Sequence, residues 1–123
     1  MQTFSKAERL CSSILIENLF KSGISFHTQP FKFVWLEASE SVVPVKTVIS
    51  VPKRLFKRAV DRNRLKRMIR EAYRKNKTPL YDSLIDRKIH LMIIFTGKSI
   101  IEYKNIEEKI IEGLQRLVKE INK

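Results

Sequence analysis

The chain has 123 residues, 43% of them hydrophobic, and 25 Lys and Arg stand against 13 Asp and Glu for a formal net charge of +12. That is one domain with room for one modest core, and an excess of charge that points to a polyanionic partner. Nucleic acid ranks before membrane, because the chain has no run of about 18 apolar residues and no secretory signal pattern.

Taken in order, residues 1–12 read as an ordered lead-in, with Ser5 and Glu8 at capping-box spacing. Cys11 is the only cysteine, so an internal disulfide is impossible and a reducing cytoplasm fits. Ser12 or Ser13 caps a first helix to about Ser22, with Leu15, Ile16, Leu19 and Phe20 as its apolar face and Gly23 as its end. His27 falls in a turn, and a short strand near residues 24–29 is an open alternative. From Phe31 the period changes: Phe31, Phe33 and Trp35 alternate with Lys32, Val34 and Leu36, which predicts a strand covered at least in part on both faces. Residues 37–44, polar and ending in Pro44, read as a hairpin connection to a second strand, Val45 to Val51, rich in β-branched residues.

Lys53 to Lys77 carries most of the charge: twelve Lys and Arg against Asp61 and Glu71. A helix is predicted from about Lys57 to Lys75, stopped by Thr78-Pro79. At 100° per residue, Leu65, Met68, Ile69, Ala72 and Tyr73 share one face. Asn63, Arg64, Lys66, Arg67, Arg70 and Arg74 share the other, and Arg62 falls at the border, where its stem can run along a groove. Solvated helix faces usually mix signs. This one does not, and its self-repulsion favours a phosphate-backbone partner.

Beyond it, Leu80 to Ile85 reads as one helical turn, and Lys88 to Thr96 as a buried central strand. Asn105 is the expected cap of a last helix that buries Ile106, Ile110, Leu114, Leu117 and Ile121. The order α-β-β-α-β-α is an α+β fold: a two-layer sandwich of helices on a small mixed sheet, one domain over residues 1–123.

A self-sufficient nuclease needs clustered metal-binding carboxylates or an acid/base pair. Glu107-Glu108 beside Lys109 reads as ordinary surface, and His27 and His90 read as structural. No glycine loop cradles phosphate. The residues describe a binder, with no catalytic side chain and no protein metal site.

The segment VPKRLFKRAVDRNRLKRMIREAYR closely resembles the RNR region of the protein component of bacterial ribonuclease P. Lys6, Glu8-Arg9-Leu10, Leu19-Phe20-Lys21-Ser22-Gly23, Phe31 to Leu36 and Val48 to Val51 extend the resemblance over nearly the whole chain. It implies a basic, cytoplasmic subunit that joins a catalytic RNA to cut the 5′ leader from precursor tRNA. The chemistry is expected on the RNA with Mg²⁺, and a left-handed β-α-β crossover through the basic helix is implied. Carried over by position, Arg62, Asn63, Arg64, Lys66, Arg67 and Arg70, with Arg54, Lys57 and Arg58 before them, are the implied contacts to RNA. Phe20, Lys32, Val34 and Arg62 are the implied contacts to the leader. Guanidinium groups suit phosphates through paired hydrogen bonds, and an exposed ring stacks on any base of a single strand.

Two departures stand out. The family commonly has a lysine pair and then a glycine before the helix, whereas Lys53-Arg54-Leu55-Phe56-Lys57 has no glycine and one extra residue. Ile16 and Val34 also occupy positions where an aromatic is expected, so stacking on Phe33 or Trp35 is an alternative, set against plain core packing. The competing function is a structural, ribosomal-type RNA-binding protein without a role in cleavage. A DNA-reading helix would call for a helix-turn-helix partner and dimer symmetry, and neither is evident; no membrane or DNA partner is expected.

Overall fold

A computed structural model of the chain describes residues 4–38, 41 and 43–122. After a 3₁₀ turn at Lys6–Glu8, the elements are α1 (Ser13–Ser22), β1 (Ile24–Thr28), β2 (Phe31–Glu37), β3 (Val45–Ser50), α2 (Ala59–Asn76), α3 (Thr78–Leu84), β4 (Ile89–Phe95) and α4 (Tyr103–Ile121). The fold is α+β. The strand near residues 24–29 is present as β1, and the single turn foreseen at Leu80 is the two-turn α3, started by Pro79 in its first turn.

The sheet order is β1-β2-β4-β3. β1 pairs with β2, and β2 with β4, in antiparallel fashion, while β3 lies parallel to β4. This corrects the hairpin reading of residues 37–44, part of which (39, 40 and 42) lies outside the described residues: β2 and β3 are not neighbours. β4 separates them. It is the most apolar strand, buried at every position except Ile94, so burial favours a partner on both edges and cover on both faces. β3 reaches its parallel neighbour through the crossover formed by α2 and α3.

Alternation along the strands separates two cores. Phe31, Phe33, Trp35, Leu91, Ile93 and Phe95 face the layer of α2, α3 and α4. Val34 and Met92 face the other way, where Leu19 of α1 and Leu10 of the lead-in cover them. Four residues of α2 are buried in the larger core: Leu65, Ile69, Ala72 and Tyr73. Each large side chain among them contributes about 1.5–3 kcal/mol on leaving water. On α4 the predicted stripe of Ile106, Ile110, Leu114, Leu117 and Ile121 is buried, together with Gly113.

Three local details differ from expectation. His27 lies within β1; the turn is at Gln29-Pro30, whose peptide bond is cis. Glu102, not Asn105, holds the cap position of α4, and Asn105 N–H donates to the Glu102 carbonyl at 3.0 Å inside the first turn. The basic helix starts at Ala59, two residues later than predicted, because the connection before it makes its own turn, with Leu55 N–H donating to the Pro52 carbonyl at 3.2 Å.

The lead-in crosses the sheet edge at β3. Leu10 N–H donates to the Thr47 carbonyl at 2.9 Å, and Arg9 bridges Thr47 in parallel register. Glu8 is buried there, with its carboxylate bonded to the Lys77 ammonium and the Tyr81 hydroxyl, and it also accepts from Ser5 N–H and Oγ at 3.0 Å. Burial alone would raise this carboxyl. The hydrogen bonds from Lys77, Tyr81 and Ser5 outweigh it and hold the group below the ordinary carboxylate value.

Candidate nucleic-acid interface

The basic face of α2 follows from its buried stripe. With Leu65, Ile69 and Tyr73 turned into the core, Asn63, Arg64 and Arg67 are exposed, and Lys66, Arg70 and Arg74 stand half-buried along the flanks. Lys53, Arg54, Lys57 and Arg58 are exposed in the connection that leads into the helix. Of the twelve basic residues from 53 to 77, only Arg74 and Lys77 have an acidic partner among the described residues, Glu71 and Glu8. Lys75 lies 5.7 Å from the centre of the Tyr103 ring.

The geometry therefore concentrates like charge and neutralises little of it. Arg62–Lys66, Lys66–Arg70 and Arg70–Arg74 are each four apart on one helix, a spacing at which like charges cost about 0.2–0.5 kcal/mol per pair. A polyanion laid along the face would offset that cost and release its own counterions.

The residues implied for the leader do not form one group. Phe20 projects from α1 at 66% exposure. Lys32 is half-buried on the α1 side of the sheet, in register between His27 and Ile94. Val34 points the same way but is buried under α1; a Cβ on Gly23 would come within 2.5 Å of it. Arg62 lies on α2, which packs against the opposite face of the sheet, and its Nη1 donates to the Phe56 and Lys57 carbonyls at 2.7 and 2.9 Å. Phe33 and Trp35 do not replace the missing aromatics. Both are buried on the α2–α4 side, with Phe33 stacked on Phe26 at 5.2 Å.

Register shows what the linear pattern missed. Lys46 pairs with His90, and His90 with Leu36, so a row of polar and apolar groups lies on the α1 side, separated from the row of His27, Lys32, Ile94 and Ser50 by the row of Ser25, Val34, Met92 and Val48. Burial, with Lys46 beside it, pushes the His90 imidazole below its ordinary value. The period-2 pattern assigns these side chains to a face; the strand order is what brings them together. Among the described residues no three His, Cys, Asp or Glu come together as a metal site. The donor set does not form a cage for a divalent ion, and no described helix is long and apolar enough to cross a membrane.

The family model for ribonuclease P matches residues 4–121. The chain belongs to the ribonuclease P protein family. The ribonuclease P protein component of Porphyromonas gingivalis strain W83 is 37% identical over 116 residues, covering 92% of this chain and 85% of that protein. The component from Petrotoga mobilis is 33% identical over 119 residues, with 94% and 96% covered. In fold, the chain is similar to the Staphylococcus aureus RNase P protein, with a TM-score of 0.73 at 23% identity and 93% and 97% covered. The Thermotoga maritima RNase P protein follows at 0.68 and 24%, with 89% and 96% covered. Membership in this family makes the chain a component of an endoribonuclease and implies a role in tRNA 5′ processing alongside an RNA subunit.

Proposed function

We propose that the chain binds the ribonuclease P catalytic RNA through the basic face of α2 and its approach, and the 5′ leader of precursor tRNA on the α1 side of the sheet. It is a single RNA-binding domain of the cytoplasm that promotes removal of the leader. Hydrolysis takes place on the RNA with Mg²⁺, and the protein contributes no catalytic side chain.

One observation carries the reading. Arg64, Lys66, Arg67 and Arg70 line one side of a rigid helix without an acidic partner among the described residues. Arg70 adds a buried Nε that has no acceptor among the described residues. Such a face suits the spaced phosphates of a structured RNA. On the sheet side, exposed Phe20 offers a stacking ring, and Lys32 a cation for a single strand passing α1.

Affinity measured across a salt series tests this. The protein is expected to bind ribonuclease P RNA more tightly than ribosomal RNA fragments of equal length, with a steep fall in affinity as salt rises. Tighter binding to the ribosomal fragments would favour the structural RNA-binding reading.

A further inference from the structure

Arg62 is placed differently from Arg64 and Arg67. Those two are exposed, whereas Arg62 turns back and donates from Nη1 to the carbonyls of Phe56 at 2.7 Å and Lys57 at 2.9 Å. Both carbonyls belong to the connection between β3 and α2. Other ties on that connection are few. Leu55 and Phe56 N–H groups share the Pro52 carbonyl at 3.2 and 3.3 Å, and the Phe56 ring packs 5.8 Å from that of Phe95.

The connection carries four exposed cations, Lys53, Arg54, Lys57 and Arg58. They sit at the N-terminus of α2, the positive end of the helix dipole. Arg58 at the cap position supplies no side-chain acceptor. Four cations and a dipole end of the same sign repel one another, which loosens a segment held by the buried Phe56 ring, the half-buried Leu55 and one tight turn. Charge-assisted hydrogen bonds to two successive carbonyls oppose that loosening. The two Nη1 donors are thereby turned towards the protein's own backbone.

We propose that Arg62 is a positioning residue: it fixes the 53–58 connection so that Lys53, Arg54, Lys57 and Arg58 meet RNA phosphates as one preset group, and it does not itself hold a phosphate. The proposal rests on the reading of α2 and its approach as the surface for the catalytic RNA, and it changes what the first arginine of the RNR string does there.

A double-mutant cycle on RNA affinity tests it. The full-length protein is bound to ribonuclease P RNA at fixed salt in two backgrounds: the native connection, and one in which Lys53, Arg54, Lys57 and Arg58 are all Gln. Arg62→Met, which keeps the apolar stem and removes the donors, is placed in each, with Arg64→Ala as the direct-contact reference. Thermal unfolding confirms that each protein is folded; if Arg62→Met is not, Arg62→Gln takes its place. The expected result is about a tenfold loss of affinity from Arg62→Met in the native background and less than about twofold in the neutralised one. Arg64→Ala should cost the same factor in both. An equal loss from Arg62→Met in both backgrounds would show direct contact and overturn the proposal. If neither Arg64→Ala nor the neutralised connection weakened binding, the α2 surface itself would be wrong, and the role of Arg62 with it.

Discussion

Gly113 of α4 lies against the ring of Phe33 in β2: a Cβ placed on the glycine would come within 2.2 Å of the ring carbons. The ring has little freedom to move, because it is fully buried, stacked on Phe26 and edge-on to Phe31 at 6.4 Å. Gly113→Ala is therefore expected to destabilise the fold by about 1–3 kcal/mol through overpacking. That outcome runs against the helix propensity of Ala, which alone favours the change by about 1 kcal/mol. Urea unfolding decides between the two, and a variant at least as stable as the parent would show that the helix can shift.

Glu8 and Lys77 form an ion pair with side chains only 9% and 8% exposed, sixty-nine residues apart in sequence. Glu8→Ala leaves the Lys77 ammonium buried without its carboxylate, and a loss of about 3 kcal/mol is expected on denaturant unfolding. Lys77→Met added to it should restore part of that loss. A double variant no better than Glu8→Ala would mean that the Tyr81 and Ser5 contacts carry the stabilisation instead.

The parts of the molecule that were readable in the sequence are those set by local period. The buried stripe of α4 and the basic face of α2 follow from 3.6-residue spacing, and β4 from its unbroken apolar run. Strand order was not readable. β4 inserts between β2 and β3 because a strand buried on both faces needs two neighbours, and that competition is non-local. The partner of Glu8 was hidden for the same reason. On the surface, the charges of Arg64 and Arg67 were legible from composition and spacing alone. The inward turn of Arg62 depends on where the Phe56 and Lys57 carbonyls come to lie, which side-chain period does not encode.

The two proposed RNA surfaces should separate by mutation. Arg64→Ala and Arg67→Ala are each expected to weaken binding to the catalytic RNA and to reduce the slope of log affinity against log salt by about 0.9. Phe20→Ala should leave that slope unchanged and lower the preference for precursor over mature tRNA. Its effect on stability should stay within about 0.5 kcal/mol, since the ring is largely exposed. Identical behaviour of the two classes in both assays would collapse the surfaces into one.

Stability should fall in two steps as the solution is acidified. Burial, then Lys46, holds His90 below its ordinary 6.5, so the unfolded chain takes up that proton first. The stabilisation is whole above about pH 6.5 and is lost as pH drops through the lower folded-state value. Glu8, held below 4.5 by Lys77, Tyr81 and Ser5 against the opposing effect of burial, adds a second loss on the same logic, below about pH 4.5. His90→Gln should remove the first step and keep the second in urea unfolding followed from pH 8 to pH 3. A first step that survived in His90→Gln would assign it to another group.

The most direct test of the central claim is cleavage of a precursor tRNA at low Mg²⁺ by the purified protein, by a bacterial ribonuclease P RNA, and by the two together. The account predicts the mature 5′ end only when both are present. Cleavage by the protein alone would contradict the assignment of the chemistry to RNA. No stimulation of the RNA by the protein would contradict its role as the protein partner of that enzyme.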